Sequence, residues 1–386
     1  MHYVTRAQLS RRGRLMAAVV CRFCRSTEGE VVLDLGEQPA SDHFPPAADP
    51  GPDPTYALRM WLCAGCGLAQ LAEDPTVPDE PRGTEPAALA EQAADAVARV
   101  ASAGLLPAGA AGSGTVAEYG SPHGGSWLDL LTARGLRRAG PGEAADVVVD
   151  CFGLMHEPDQ AAALADRAAR LRPGGVLLVQ FHSLAAILRG GQWNALRHAH
   201  YAYYSTPVLV GMLAAAGLTA RTAFRFPLYG GTVLLAATRE GSPDRTVQVL
   251  AAEELAAGVR CPDVVGELQR TTSDAANRLA GWLAQQRAAG HRVLGYSAAS
   301  RSVALLCRAG LTAQLLPAIA DAAPAKRGRR LPGSAIPVIA PEELVAARPD
   351  AVLLFVPDLL PEVRRTLPQI EAAGGRWVPV DGPASM

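Results

Sequence analysis

The chain has 386 residues, of which 49% are hydrophobic, and a formal net charge of −1. That length holds two or three domains with real cores, and a charge near zero argues against nucleic acid as the partner. No apolar run reaches the ~18 residues needed to cross a bilayer, which leaves no membrane role to expect.

From the N-terminus, Met1 to Ala18 carries Arg6, Arg11, Arg12 and Arg14. It is expected to be a loose tail upstream of a start at Met16, since Leu15 to Val20 is too brief for a signal sequence. Cys21-Arg22-Phe23-Cys24 and Cys63-Ala64-Gly65-Cys66 then use four of the seven cysteines in two CxxC knuckles. Together they supply four thiolates for one closed tetrahedral zinc site, which holds structure and leaves no open position for chemistry. The bridge between them, with Asp42, His43 and several prolines, is expected to be loops and short strands held by the metal, with His43 a loop histidine and not a ligand. Cys151, Cys261 and Cys307 stand singly in apolar surroundings, as free thiols in a reducing, cytoplasmic compartment do.

Residues 74–87 are rich in Pro and acid and read as a linker. A helix is expected from Glu85 to Ala103, a Gly/Ala stretch from Ala108 to Gly114 and a strand at Thr115 to Tyr119. Strand Asp146–Phe152, helix Pro158–Leu171 and strand Val176–Phe181, entered through Pro173-Gly174-Gly175, continue the alternation. Ser205-Thr206-Pro207 opens a helix that ends at Gly217, and strands follow at 219–226 and 232–238. Two long helices are expected over 242–257 and 262–289. A second alternation then runs through strand Arg292–Tyr296, helix Arg301–Ala309, strand Leu315–Ile319, helix Pro341–Ala347, strand Ala351–Val356, helix Leu359–Ala373 and strand Arg376–Val380. This order is that of an α/β protein with mostly parallel sheets, whose ligands lie at the carboxyl ends of the strands. The division expected is tail 1–20, zinc module 21–80, a Rossmann-like domain 81–240 and a second Rossmann-like domain 241–386.

Within the first alternation, Glu118 ends a strand, and Gly120, Ser121, Gly124 and Gly125 form a turn that lets backbone approach a cofactor. Taken with the knuckles, the Pro-Gly-Gly turn and the segment His198-Ala199-His200-Tyr201-Ala202-Tyr203-Tyr204-Ser205, it resembles the three-domain, zinc-containing nucleotide-sugar C-methyltransferases of actinomycete deoxysugar pathways. Gly295-Tyr296-Ser297-Ala298-Ala299 is similar to that family's GYGA turn. Asp321, Pro324-Ala325-Lys326, Gly328, Leu331-Pro332-Gly333 and Ile336-Pro337-Val338 are similar to its DxNPxKxGxxLPGxxIPV stretch.

The resemblance implies an S-adenosylmethionine domain followed by a nucleotide-sugar-binding domain, and methylation of the carbon beside a ketone. A base removes the α-proton there, and donors stabilise the enolate oxygen. The family's YHEHxxYF segment falls on Arg197 to Tyr204. It implies His200 as the base, with His198 and Tyr203 beside it, and His156 matches a further family histidine. Arg197, Tyr296, Ser297 and Lys326 are the implied substrate contacts, and Glu118, Gly120, Ser121, Gly124 and Gly125 the cofactor contacts.

The chain departs from the family pattern in three places. Arg197 and Ala199 stand where the family has tyrosine and glutamate, so His200 lacks the glutamate that could orient it. No aromatic residue follows the zinc module between Asp74 and Gly83. Only Trp127 to Ala145 is available for a segment that holds a helix, a strand with a ribose-binding acid and a further helix, and Glu143 is its one carboxylate near the right place. A C-methyltransferase, a silent homologue that binds nucleotide-sugar or serves as a partner subunit, and a non-methylating keto-sugar enzyme are the readings this leaves open. The oligomeric state stays open too.

Overall fold

A computed structural model describes residues 18–49, 51–76, 83–107, 114–120 and 124–381. Residues 1–17, Ser121 and parts of the 74–87 and 108–114 segments lie outside the described residues.

Strands β1 (Gly29–Pro39) and β2 (Thr55–Cys63) form an antiparallel pair of 11 and 9 residues, and β3 (Ala69–Leu71) adds to β2. The bridge between the knuckles is therefore a sheet and not the loops and short strands expected. Its signal was the period-two burial of Leu33 and Leu35 on β1 and of Leu58, Met60 and Leu62 on β2, which the surrounding prolines hid. These side chains share one buried cluster with Leu331, Ile336 and Val338 from the other end of the chain.

Helix α1 (Ala87–Ser102) leads into β4 (Thr115–Tyr119), α2 (Leu128–Thr132), β5 (Arg137–Arg138), β6 (Ala145–Cys151), α3 (Gln160–Ala169) and β7 (Leu171–His182). The Pro-Gly-Gly turn lies inside β7 as a register shift against β6. Helix α4 (Leu184–Arg189), β8 (Ala202–Tyr203), α5 (Thr206–Ala215), β9 (Thr219–Phe226) and β10 (Thr232–Thr238) follow. Ser205 does not cap α5 with its side chain; the Glu254 carboxylate accepts from the Thr206 amide at 2.5 Å instead.

The second sheet has the order β5-β4-β6-β7-β10-β9, parallel through its first four strands and antiparallel at β10 and β9. Chain order reverses beside β4, so the crevice at the end of that strand is where a ligand fits.

Helices α6 (Arg245–Ala256), α7 (Pro262–Val265) and α8 (Glu267–Ala288) cross to the third sheet. That sheet is built from β11 (Val293–Tyr296), α9 (Ser300–Arg308), β12 (Ile319–Ala320), β13 (Val338–Ile339), α10 (Pro341–Ala346), β14 (Ala351–Leu354), α11 (Leu360–Thr366), α12 (Gln369–Ala372) and β15 (Arg376–Pro379). Its order is β13-β12-β11-β14-β15, all parallel, with the switch point beside β11. The single helix expected over 359–373 is broken at Pro368, which lacks the amide to continue it. The strand expected at 315–319 is confined to Ile319–Ala320. The architecture is thus α/β, as expected, and no described helix is long and apolar enough to cross a membrane.

Candidate functional site

The Sγ atoms of Cys21, Cys24, Cys63 and Cys66 all lie within 4.8 Å of one another. Cys21 and Cys66 are 3.6 Å apart, and Cys24 and Cys63 3.5 Å. Sulfurs bound tetrahedrally at about 2.3 Å stand about 3.8 Å apart, so the cluster fits zinc, with every position taken by protein. The Cys24 and Cys66 amides each donate to the first sulfur of their own knuckle, at 3.5 Å. His43 is not part of the cluster.

The knuckle is tied to the rest of the molecule. The Arg22 carbonyl accepts from the Gln160 amide at 3.1 Å, and the Arg22 guanidinium lies 4.6 Å from the Tyr201 ring centroid. Strand β8 pairs with β3, so residues 202–203 form the fourth strand of the first sheet. The segment carrying His198, His200 and Tyr203 is thereby held by the zinc-bearing sheet, and its Tyr201 amide donates to the Met155 carbonyl at 2.8 Å.

A cavity of about 210 Å³ lies between the second and third sheets. Phe152, Met155, His182 and Tyr229 come to it from the second sheet, and Arg197, His200 and Tyr203 from the segment before α5. Tyr296, Ser297, Ser300, Arg301 and Lys326 face them from the third. The cavity therefore unites His200, Tyr203, Arg197, Tyr296, Ser297 and Lys326.

Arg197 organises this wall. Its Nε donates to His200 Nε2 at 2.7 Å, its Nη1 donates to Ser300 Oγ at 3.0 Å, and its amide donates to the Tyr203 hydroxyl oxygen at 3.1 Å. Behind His200, the His156 ring stands edge-on with centroids 4.4 Å apart. Burial, helped by the Arg197 charge, lowers the His156 pKa to about 4, so this ring is neutral near pH 7. Burial also holds the Tyr203 phenol above its ordinary value.

His198 does not join them. It is buried against Tyr56, ring centroids 6.1 Å apart, and is not in the cavity wall. Ala199 between the two histidines has φ 64°, and this left-handed turn sends their rings to different sides. The Asp74 carboxylate fixes the turn by accepting from the Ala199 amide at 2.5 Å. Lys326 reaches the cavity but is anchored, donating to the Ala298 carbonyl at 2.9 Å. Burial raises the Tyr296 phenol to about 12, so it faces the cavity as a neutral donor.

At the end of β4, Gly124 and Gly125 have φ 82° and 77°, a conformation that favours glycine. A Cβ at Gly125 would stand 2.0 Å from Glu85 Oε1, so Glu85 closes over the turn. Its carboxyl is raised by burial and by neighbouring Glu118. Glu118 has a structural task that the sequence reading missed: it accepts from the Trp127 amide at 2.6 Å and from Ser126 Oγ at 2.5 Å, tying down the start of α2. Two carboxylates beside a glycine turn fit the ammonium end of a methionine-like cofactor. Across the sheet, β5 is two residues long, and Glu143 is taken up by Arg137 and Arg172. The wall that would receive an adenosine is accordingly short.

The sequence reading passed over Glu85, His182, Tyr229 and Arg301. Burial and the charges of Arg301 and Arg197 lower His182 to about 3. Burial and Arg197 lower Arg301 to about 10. Tyr229 and Arg301 carry no motif; the one local sign was Tyr229 directly before Gly230-Gly231, in a turn where it takes φ 59°.

Comparison with known proteins matches residues 21–79 to a domain described as "Putative zinc binding domain". Residues 227–380 match the C-methyltransferase C-terminal domain. The C-methyltransferase NovU of Streptomyces niveus is 30% identical over 261 residues, covering 66% of this chain and 60% of that protein. The match thus spans less than two thirds of that relative's length. Among solved structures, magnesium protoporphyrin IX methyltransferase from Synechocystis PCC 6803 is 12% identical, with a TM-score of 0.29, over 39% of this chain and 83% of that one. The 1,6-didemethyltoxoflavin-N1-methyltransferase of Burkholderia thailandensis is 19% identical, with a TM-score of 0.25, over 44% and 94%.

Proposed function

Because residues 21–79 match a zinc-binding domain and residues 227–380 the C-methyltransferase C-terminal domain, we propose that the chain is an S-adenosylmethionine-dependent C-methyltransferase. Its substrate in this reading is a nucleotide-linked keto-deoxysugar of secondary metabolism. The observation that supports it best is the cavity itself. It brings His200, Arg197 and Tyr203 against Tyr296, Ser297 and Ser300 between the two Rossmann-like sheets.

In this reading His200 takes the proton from the carbon beside the ketone, through Nε2 once Arg197 turns toward substrate. Arg197 is always charged and already directed at His200 Nε2, so its N–H groups are placed to receive the enolate oxygen as negative charge develops. It does the orienting that the family's glutamate would do. The neutral phenols of Tyr203 and Tyr296 complete the polar lining, and the turn at Ser297 with the start of α9 suits the carrier's phosphates. S-adenosylmethionine, when bound, supplies an electrophilic methyl group on a sulfonium. Glu85 and Glu118 would hold its ammonium end beside Gly120, Gly124 and Gly125. In this reading the chain divides into a zinc module over 21–80, a cofactor domain over 81–240 and a nucleotide-sugar domain over 241–386, with β8 of the second pairing into the first sheet.

One observation favours a second reading, a silent homologue that binds nucleotide-sugar: the short β5 and the engaged Glu143. Calorimetry of the whole chain with S-adenosylmethionine and with S-adenosylhomocysteine separates the two. Binding of either supports the transferase. Binding of neither, together with nucleotide-sugar binding, supports the silent homologue. Exchange of the sugar's α-proton with deuterium in the absence of any methyl donor binding points to a non-methylating enzyme.

A further inference from the structure

We infer that the rings of Phe152 and Tyr229 form the seat for the positively charged sulfur of the methyl donor. This rests on the methyltransferase reading above and adds to it the contact that recognises the donor's reacting end.

Among the described residues, these two carry the only aromatic side chains on a left-handed backbone, with φ 62° at Phe152 and 59° at Tyr229. A bulky side chain is strained there, and glycine or asparagine would take either position more easily. Such strain persists where the surrounding structure enforces it, and it gathers at functional sites. Here it brings both rings into the cavity wall, where they meet at 68° with centroids 6.2 Å apart. Phe152 comes from the end of β6, its amide donating to the Gln180 carbonyl at 3.0 Å. Tyr229 comes from the turn between β9 and β10. Two strained positions far apart in sequence thus build one aromatic corner.

The corner's place fits the sulfur. Strands β4 and β6 pair in parallel, with Tyr119 opposite Asp150. The end of β6 therefore lies beside the end of β4, where Glu85 and Glu118 would hold the ammonium end. Cys151, next to Phe152, has its thiol pushed up by burial and by Asp150, Glu118 and Glu85. On the other side, Tyr229 feels Arg301 and Arg197, while burial raises its phenol to about 12 and leaves it neutral. The pair stands between the carboxylates of the cofactor end and the guanidiniums of the acceptor end. A ring face attracts a cation through its quadrupole and offers no lone pair to take the methyl group. A carboxylate in the same place would be a competing nucleophile.

The test is calorimetry of the full chain with three ligands. They are S-adenosylmethionine, sinefungin, which has an ammonium in place of the sulfonium, and the neutral S-adenosylhomocysteine. Phe152→Leu and Tyr229→Leu should each weaken both cationic ligands about fivefold and leave S-adenosylhomocysteine within about twofold. Tyr229→Phe keeps the ring and should bind all three as the parent protein does. If Phe152→Leu fails to fold, the two Tyr229 variants carry the test. An equal loss for all three ligands, a loss for S-adenosylmethionine alone, no loss, or a Tyr229→Phe variant as weak as Tyr229→Leu overturns the inference. A parent protein that binds none of the three refutes the methyl-donor reading itself, and this inference with it.

Discussion

Arg197 Nε donates a hydrogen bond to His200 Nε2 at 2.7 Å. Because a guanidinium cannot give up its proton in a protein, Nε2 must be the accepting nitrogen, and the neutral ring carries its hydrogen on Nδ1. The candidate base thus holds its lone pair toward the cavity wall that Arg197 shares with Ser300.

His200→Asn should abolish exchange of a keto-sugar α-proton with solvent deuterium while nucleotide-sugar affinity stays within about twofold. Proton NMR of the sugar in heavy water reads this directly. Exchange as fast as in the parent protein would put the base elsewhere, with His156 next, since it stands 4.4 Å behind His200.

Zinc should co-purify at about one ion per chain, bound by the four knuckle cysteines. Cys63→Ser should release it and loosen the first sheet. Because β8 belongs to that sheet, amide exchange at residues 202–203 should accelerate too, while the strands of the third sheet keep their protection. Freshly purified protein without zinc by elemental analysis would refute the assignment.

Glu118→Ala should cost about 0.5–2 kcal/mol of stability, as loss of a helix-start acceptor does, because Glu118 ties Ser126 and Trp127 to the end of β4. Glu85→Gln removes a charge without removing that tie. It should weaken S-adenosylhomocysteine binding several-fold and leave the melting temperature unchanged or slightly raised. Unaltered affinity in Glu85→Gln would remove Glu85 from the cofactor site.

Stability should fall as pH is lowered from 7 toward 5. His156 and His182 have folded pKa values lowered by burial to about 4 and about 3, below the ordinary value near 6.5. The unfolded chain therefore binds more protons in this window, and stability rises with pH until it levels off above about 7. Thermal melts from pH 5 to 8 should show this slope, and His182→Asn should flatten it. An unchanged slope in the His156→Asn, His182→Asn double variant would assign the effect to other groups.

Local patterns made much of this legible. The CxxC spacing fixes a tetrathiolate cluster because each knuckle is a single tight turn, and the glycine turn after β4 and the GYSAA turn after β11 mark the two switch points. Alternating β-branched runs and helix signals located most of the strands they predicted to within a residue or two, but left β1, β2, β3, β5, β8 and β13 unplaced. These features depend on neighbours in sequence, so sequence alone determined them.

Tertiary structure decided the rest. Whether His198 or His200 faces the cavity depends on the left-handed turn at Ala199, which is held by Asp74 from the far side of the linker. Arg301 and Tyr229 carry no motif and become site residues only because the ends of β6 and β7 meet the end of β11 around one cavity. Glu254 rather than Ser205 caps α5, because a carboxylate 48 positions away reaches the Thr206 amide first. The long strands between the knuckles were obscured by their prolines and stand because their buried faces pack against residues near the other end of the chain. Composition and spacing record what a segment can do alone, whereas a cavity's charge and the direction a side chain faces follow from contacts between segments far apart in sequence.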